Sequence, residues 1–179
     1  LLAPMVNEPL MAILLGAALA WLAHSSLTVI VLVMTLVSLH VVEVQLAMAL
    51  VLGANIGSSI TPVAMNWRAD PSARRIPVGN LLMRTAGVAL VFWMVPWIIP
   101  YLRDLSDDPA RLIANFHTGF NLAVALLFLP FVGLVAALVT RMLPDSPVVE
   151  DEKAPKHLEE SALDSPGVAL SSAARETLR

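Results

Sequence analysis

From residue 9 to residue 67 the chain carries a single charged side chain, Glu43. An apolar run of about 18 residues already marks a candidate membrane helix, and about 20 are needed to cross the hydrocarbon core. This stretch is long enough for nearly three crossings, which excludes a water-soluble globule throughout. Composition agrees: 58% of residues are hydrophobic and 14% charged, against about 45–50% and about 25% in soluble domains. The chain has no cysteine, so disulfide scaffolds and thiolate sites are excluded. A formal net charge of −3 argues against a nucleic-acid partner.

The charge is unevenly spread. Residues 1–143 carry a net +1 and residues 144–179 a net −4, with both lysines, Lys153 and Lys156, in the second part. The expected architecture is therefore an all-α membrane protein with a soluble helical tail. Residues 1–143 form the membrane part and 144–164 an acidic linker containing prolines, among them Pro144 and Pro147. Residues 165–179 open a helix at Ser165-Pro166, a sequence suited to an N-cap followed by proline in the first turn. The chain starts at Leu1 and stops within helical spacing, so it reads as a piece of a longer protein.

Two polar clusters interrupt the uncharged run, His24-Ser25-Ser26 and Gly53-Ala54-Asn55-Ile56-Gly57-Ser58-Ser59, the latter followed by Thr61-Pro62. The first separates apolar arms at 10–23 and 27–42. Each is short for a core of about 30 Å, which predicts a re-entrant helical hairpin; one kinked span is the alternative. The second cluster puts two glycines and a proline inside 44–66. Each weakens a helix, and the prediction is a discontinuous transmembrane helix. Two further spans follow at about 80–101 and 113–143. Trp93, Trp97 and Tyr101 gather at one end of the third hydrophobic stretch, as in an interfacial aromatic belt. Arg68, Arg74, Arg75, Arg84 and Arg141 mark the cytoplasmic ends by the positive-inside rule, which leaves the Asp-rich loop at 103–111 outside and the tail in the cytoplasm.

Irregular backbone at bilayer depth is tolerated only inside protein or around a wet cavity, and Gly/Pro-broken apolar segments point to transporter substrate sites. The breaks offer the hydroxyls of Ser25, Ser26, Thr28, Ser58, Ser59 and Thr61 and the amide of Asn55. Helix N-termini after each break would favour an anion. Carbonyls released at Gly53 and Gly57, with Asn55 and Thr61, would suit a small hard cation. With no basic side chain in either break, the anion is expected to be held by hydrogen bonds and by the charge of a cotransported cation. Small residues also serve simply to let helices pack closely, which is the reading for Gly16, Ala17 and Gly87. His24 is a candidate modulator of the site, and His117 is equally suited to capping and to a site contribution. No catalytic triad, His/Glu metal spacing or Walker loop is present, so an enzyme is not expected.

These residues resemble the type II Na⁺/phosphate cotransporter family, in particular the bacterial form with a PhoU-like cytoplasmic tail. The family's Gln-Ser-Ser-Ser hairpin tip appears as His24-Ser25-Ser26-Leu27, and its Gly-Ala-Asn-Ile-Gly-Thr-Thr stretch as residues 53–59. Ala73-Arg74-Arg75, Gly87-Val88, the run from Ile113 to Thr118, Asn121 and Leu127-Phe128-Leu129-Pro130 extend the likeness. Lys156-His157-Leu158 and the segment from Pro166 to Glu176 are similar to the start of the PhoU-like domain.

The resemblance implies half of an inverted-repeat carrier in the cytoplasmic membrane, its first repeat lying upstream. It implies phosphate at Ser25, Ser26, Ser58 and Ser59, with Na⁺ as the coupling ion at Asn55, Thr61, Gly53 and Gly57. Beyond Na⁺ no cofactor is implied. The expected partners are inorganic phosphate, Na⁺, the bilayer and the missing repeat, with a homo-oligomer left open. The motif's glutamine is replaced by His24 and its third serine by Leu27, which alters the donor set near Thr28. Two other readings follow from that departure: a membrane-anchored phosphate-regulatory protein with a non-transporting repeat, and an exporter of phosphate or a related oxyanion.

Overall fold

The computed structural model describes residues 8–145 and 165–177, and every regular element among them is helical. The chain divides into two units, 1–145 and 146–179. In the first, α1 (Pro9–Ala23) and α2 (Ser26–Ser38) form a hairpin, followed by α3 (Val44–Met65) and α4 (Pro71–Leu105). Next come α5 (Pro109–Phe128) and α6 (Val132–Met142), separated by a 3₁₀ turn at Leu129–Phe131. In the second unit α7 (Pro166–Thr177) starts at the expected Ser165-Pro166, with the Ser165 carbonyl accepting from the amides of Val168 and Ala169. The Lys156-His157-Leu158 likeness lies outside the described residues.

The hairpin turns where the first polar cluster falls. His24 adopts a left-handed conformation (φ 54°, ψ 22°). The amide of Ser25 reaches back to the Ala20 carbonyl (3.1 Å) and that of His24 to Trp21 (3.2 Å), the paired bonds of a Schellman motif. Ser25 then caps α2, its Oγ accepting from the Thr28 amide at 3.3 Å. The far end of α2 repeats the device: His40 has φ 55°, with Val41 N bonded to Leu36 O (2.9 Å) and His40 N to Val37 O (3.0 Å). The arms hold 15 and 13 residues, about 22 and 20 Å at 1.5 Å per residue.

The second cluster does not break its helix. α3 runs unbroken for 22 residues through Gly53, Asn55 and Gly57, correcting the discontinuous helix expected there. The reason is packing. A Cβ on Gly53 would run into the Ile13 carbonyl oxygen, one on Gly57 into that of Ala17, and one on Gly16 into that of Leu50. Glycines four apart lie on one helix face, and here they let α1 cross α3 backbone to backbone. Such close approach is a main source of helix association in membranes, and it outweighs the propensity cost of about 1 kcal/mol per glycine. Pro62 falls in the last turn, where the chain end is secured by Asn66 Nδ2 donating to the Pro62 carbonyl (2.8 Å).

α3 is the centre of the unit. It touches α1, α2, α4 and α5, and every residue from Leu46 to Asn55 is buried. The long helices flank it and present apolar surface outwards. Trp93, Trp97 and Tyr101, one turn apart on α4, are 72%, 68% and 73% exposed, as a lipid-interface belt requires. α4 is longer than the expected span at both ends, taking in Arg74, Arg75 and three internal prolines, Pro77, Pro96 and Pro100. Pro130 accounts for the 3₁₀ turn, because it cannot donate to the ladder. α4 and α6 are tied at one end: Arg75 donates to the Leu143 carbonyl from Nε (3.1 Å) and Nη2 (2.9 Å), and Nη2 also pairs with Asp145 (2.7 Å).

By length and apolarity α3, α4 and the α5–α6 stretch are each able to cross a membrane. Replacing Gly53 or Gly57 by alanine is expected to force α1 away from α3 and cost about 1–3 kcal/mol, as overpacking does. Thermal unfolding in detergent should show Tm lowered by several degrees, whereas Gly119→Ala, with nothing within 4 Å of its Cβ position, should not lower it.

Candidate functional site

Because Gly53 and Gly57 face α1, the residue midway between them faces the other way: at 100° per residue Asn55 is about 160–200° from both. That turn of the helix aims Asn55 at α4 and α5. Its side chain is fully buried, near the midpoint of α3, and a polar group there needs partners. It has several. Asn55 Nδ2 donates to the Val51 carbonyl at 2.8 Å, and Asn55 Oδ1 accepts from Arg84 Nη1 of α4 at 2.6 Å. The same oxygen lies 3.4 Å from Asn121 Nδ2 of α5.

His117 completes the cluster one turn before Asn121. Its Nδ1 lies 3.5 Å from Asn55 Nδ2 and 3.3 Å from Asn121 Nδ2. Asn121 Nδ2 also lies 3.4 Å from His117 Nε2, so the imidazole edge faces both amides. Asn121 Nδ2 also donates to the His117 carbonyl at 2.8 Å. Arg84 is steadied from its own helix, its Nε donating to Asn80 Oδ1 at 3.4 Å. An open cavity of about 290 Å³ adjoins the cluster, lined by Asn80, Arg84 and Asn121 together with Met83, Val124 and Phe128.

The other sequence-derived candidates are placed differently. Ser58 Oγ donates to the Asn55 carbonyl (3.3 Å) and Ser59 Oγ to that of Ile56 (2.6 Å), so both hydroxyls turn back on their own helix. Thr61 Oγ1 is buried with no hydrogen-bond partner among the described residues. Gly53 and Gly57 sit in the α1 crossing within unbroken helix, and the release of their carbonyls, which needed a break, does not occur. Ser25 and Ser26 are half-buried at the hairpin tip, and Thr28 is exposed. His24 Nδ1 donates to the Leu22 carbonyl at 3.0 Å, so its ring braces the turn. Among the described residues no hydrogen bond joins Ser25 or Ser26 to Ser58, Ser59 or Thr61.

Arg84 is the residue that sequence reasoning misplaced. By the positive-inside rule it counts with Arg68, Arg74 and Arg75 toward a cytoplasmic end, and neither break contains a basic side chain; α4 nonetheless carries it to Asn55. The signal was present. Arg84 is the only charged residue between Arg75 and Arg103, and a charge inside a span costs at least about 2.5–3.5 kcal/mol, which marks it as a functional candidate by default.

Against this geometry the comparisons define the class: residues 1–129 match the Na⁺/Pi-cotransporter family, and the chain belongs to it. Among its relatives, a protein of Escherichia coli K12 named "Putative inorganic phosphate export protein YjbB" is 36% identical over 177 residues, covering 99% of this chain and 33% of its own length. The Salmonella typhimurium protein of the same name is 34% identical over the same length. An uncharacterized protein of Bacillus subtilis, YqeW, is 34% identical over 133 residues, which is 74% of this chain and 43% of its own. The chain spans about a third of the length of the first of these relatives. No solved structure gives a significant match.

Removing the central acceptor tests how the cluster is ranked. Asn55→Ala leaves Arg84 without its shortest bond and is expected to cost about 1–3 kcal/mol or more. Asn121→Ala keeps the 2.6 Å Arg84–Asn55 bond and should cost less; thermal unfolding in detergent gives the order.

Proposed function

We propose that this chain supplies one repeat of a secondary carrier that moves inorganic phosphate across the cytoplasmic membrane by alternating access. The other repeat, the first, belongs to the remainder of the polypeptide, and phosphate binds between the two. The observation that carries this reading is the Asn55 cluster. A fully buried amide at the midpoint of the central helix, bonded to an arginine on a neighbouring span, is costly in a membrane and is kept where solute or ion passes. The α1–α2 hairpin is read as re-entrant, with Ser25 and Ser26 presented at its tip to the substrate. The tail after the last span lies in the cytoplasm.

Na⁺ is the proposed coupling ion. Its proposed ligands are Thr61 Oγ1, buried without a partner among the described residues, and the Ser58 carbonyl, to which Pro62 can return no N–H. Asn55 fixes the same segment from one turn before. Export is the second reading, favoured by the name of the relatives, which describes it.

The test is ³²P-phosphate flux in proteoliposomes of the full-length protein, measured inward and outward, with and without a Na⁺ gradient. Gradient-dependent flux is expected, with Thr61→Val losing Na⁺ dependence. Ser26→Ala should reduce flux at least ten-fold while leaving Tm unchanged, since Ser26, unlike Ser25, caps nothing. Folded protein that moves no phosphate in either direction overturns the carrier; flux indifferent to Na⁺ overturns the coupling.

A further inference from the structure

We infer that Arg84, together with Asn80, forms an oxyanion-binding site within the span, and that the bound anion itself supplies the counter-charge the guanidinium lacks. The inference deepens the carrier reading and rests on it. Arg84 stands alone as the charged residue of α4 between Arg75 and Arg103. A guanidinium has five donors and keeps its charge in proteins. In apolar surroundings such a group ordinarily meets a carboxylate. Here, among the described residues, the ion pair formed is Arg75 with Asp145, and Arg84 meets only neutral oxygens.

Those oxygens hold the group without neutralising it. Asn55 Oδ1 takes Nη1 and Asn80 Oδ1 takes Nε, while the His117 ring faces the Asn55 and Asn121 amides. Nη2 makes no hydrogen bond among the described residues, nor does Asn80 Nδ2, whose carbonyl partner is occupied by Arg84. Both side chains line the cavity of about 290 Å³. One positive charge, unspent donors on two adjacent turns of α4 and an open space beside them match a small tetrahedral oxyanion such as inorganic phosphate. A second cavity of about 250 Å³ shares Asn80, Met83 and Val132 with the first and extends to Arg75 and Thr140, giving the anion an approach along α4 with an arginine at each end.

Asn55 makes the charge argument testable without deleting the arginine. Asn55→Asp keeps an oxygen facing Arg84 but gives it a resident counter-ion, which should exclude the anion. Equilibrium binding of ³²P-phosphate would be measured on the full-length protein in phosphatidylcholine nanodiscs, comparing wild type with Arg84→Gln, Arg84→Lys and Asn55→Asp. Expected are saturable binding by wild type, a Kd raised at least ten-fold in Arg84→Gln and Asn55→Asp, and a smaller rise in Arg84→Lys. Wild-type binding matched within two-fold by Arg84→Gln and Asn55→Asp overturns the site. If Arg84→Gln does not fold, the lysine and aspartate variants decide.

A phosphate headgroup offers the same chemistry, so the binding is repeated with phosphatidylglycerol in the discs. An unchanged Kd supports a soluble anion, and a competitive rise assigns the site to lipid and overturns the inference. The two readings fail separately: wild type that binds but moves no phosphate removes the carrier, and flux with binding indifferent to Arg84 removes this site. Wild type that neither binds nor transports removes both.

Discussion

The contact between α1 and α3 is made by main-chain atoms, and the arrangement of the first unit follows from it. Gly16, Gly53 and Gly57 bring the backbone of each helix against carbonyls of the other, a distance no side chain could share. In a bilayer, where lipid tails are as apolar as leucine, contact area of this kind is what holds helices together. The crossing assigns one face of α3 to the hairpin. By helical geometry it assigns the opposite face, and therefore Asn55, to the long helices α4 and α5.

From that placement comes the polar centre. A buried amide must find partners, and α4 and α5 provide them from Arg84, His117 and Asn121. Each long helix contributes a residue from the previous turn as well: Asn80 steadies Arg84, and the His117 carbonyl receives Asn121. A cluster shared in this way fixes the rotation of three helices about their axes, because a slip of one residue would swing any member by about 100° away from the others. The apolar exteriors of α4 and α5–α6 impose no such restriction. Polar contacts, few as they are, set the register that greasy surfaces leave loose.

Much of this was legible in the residues. Charge-free runs gave the helices, and the His24-Ser25-Ser26 cluster gave the hairpin turn almost to the residue, because a polar triplet in an oily stretch has few other uses. Ser165-Pro166 opened α7 as expected. The continuity of α3 is not legible in the residues alone, since glycine lowers helix propensity. Spacing by four is the clue, and it becomes decisive only once Ile13 and Ala17 are known to lie opposite. Arg84 was misread for a related reason. A positive charge near other arginines counts toward topology, and only the full extent of α4, Pro71–Leu105, puts it well inside a helix rather than at its end. The sequence offers the hydroxyls of Ser58 and Ser59 as donors, but a serine within an intact helix can satisfy itself on the preceding turn, as both do here.

The glycine crossing also bears on how the molecule can move. Side chains have rotamers and can swing aside; peptide units locked against one another cannot. α1 and α3 are therefore joined as one block along their crossing. Any rearrangement that opens a path to Asn55 must be taken up at its other boundary, where α4 and α5 meet the block through amides, an imidazole and a guanidinium, groups that can exchange one partner for another.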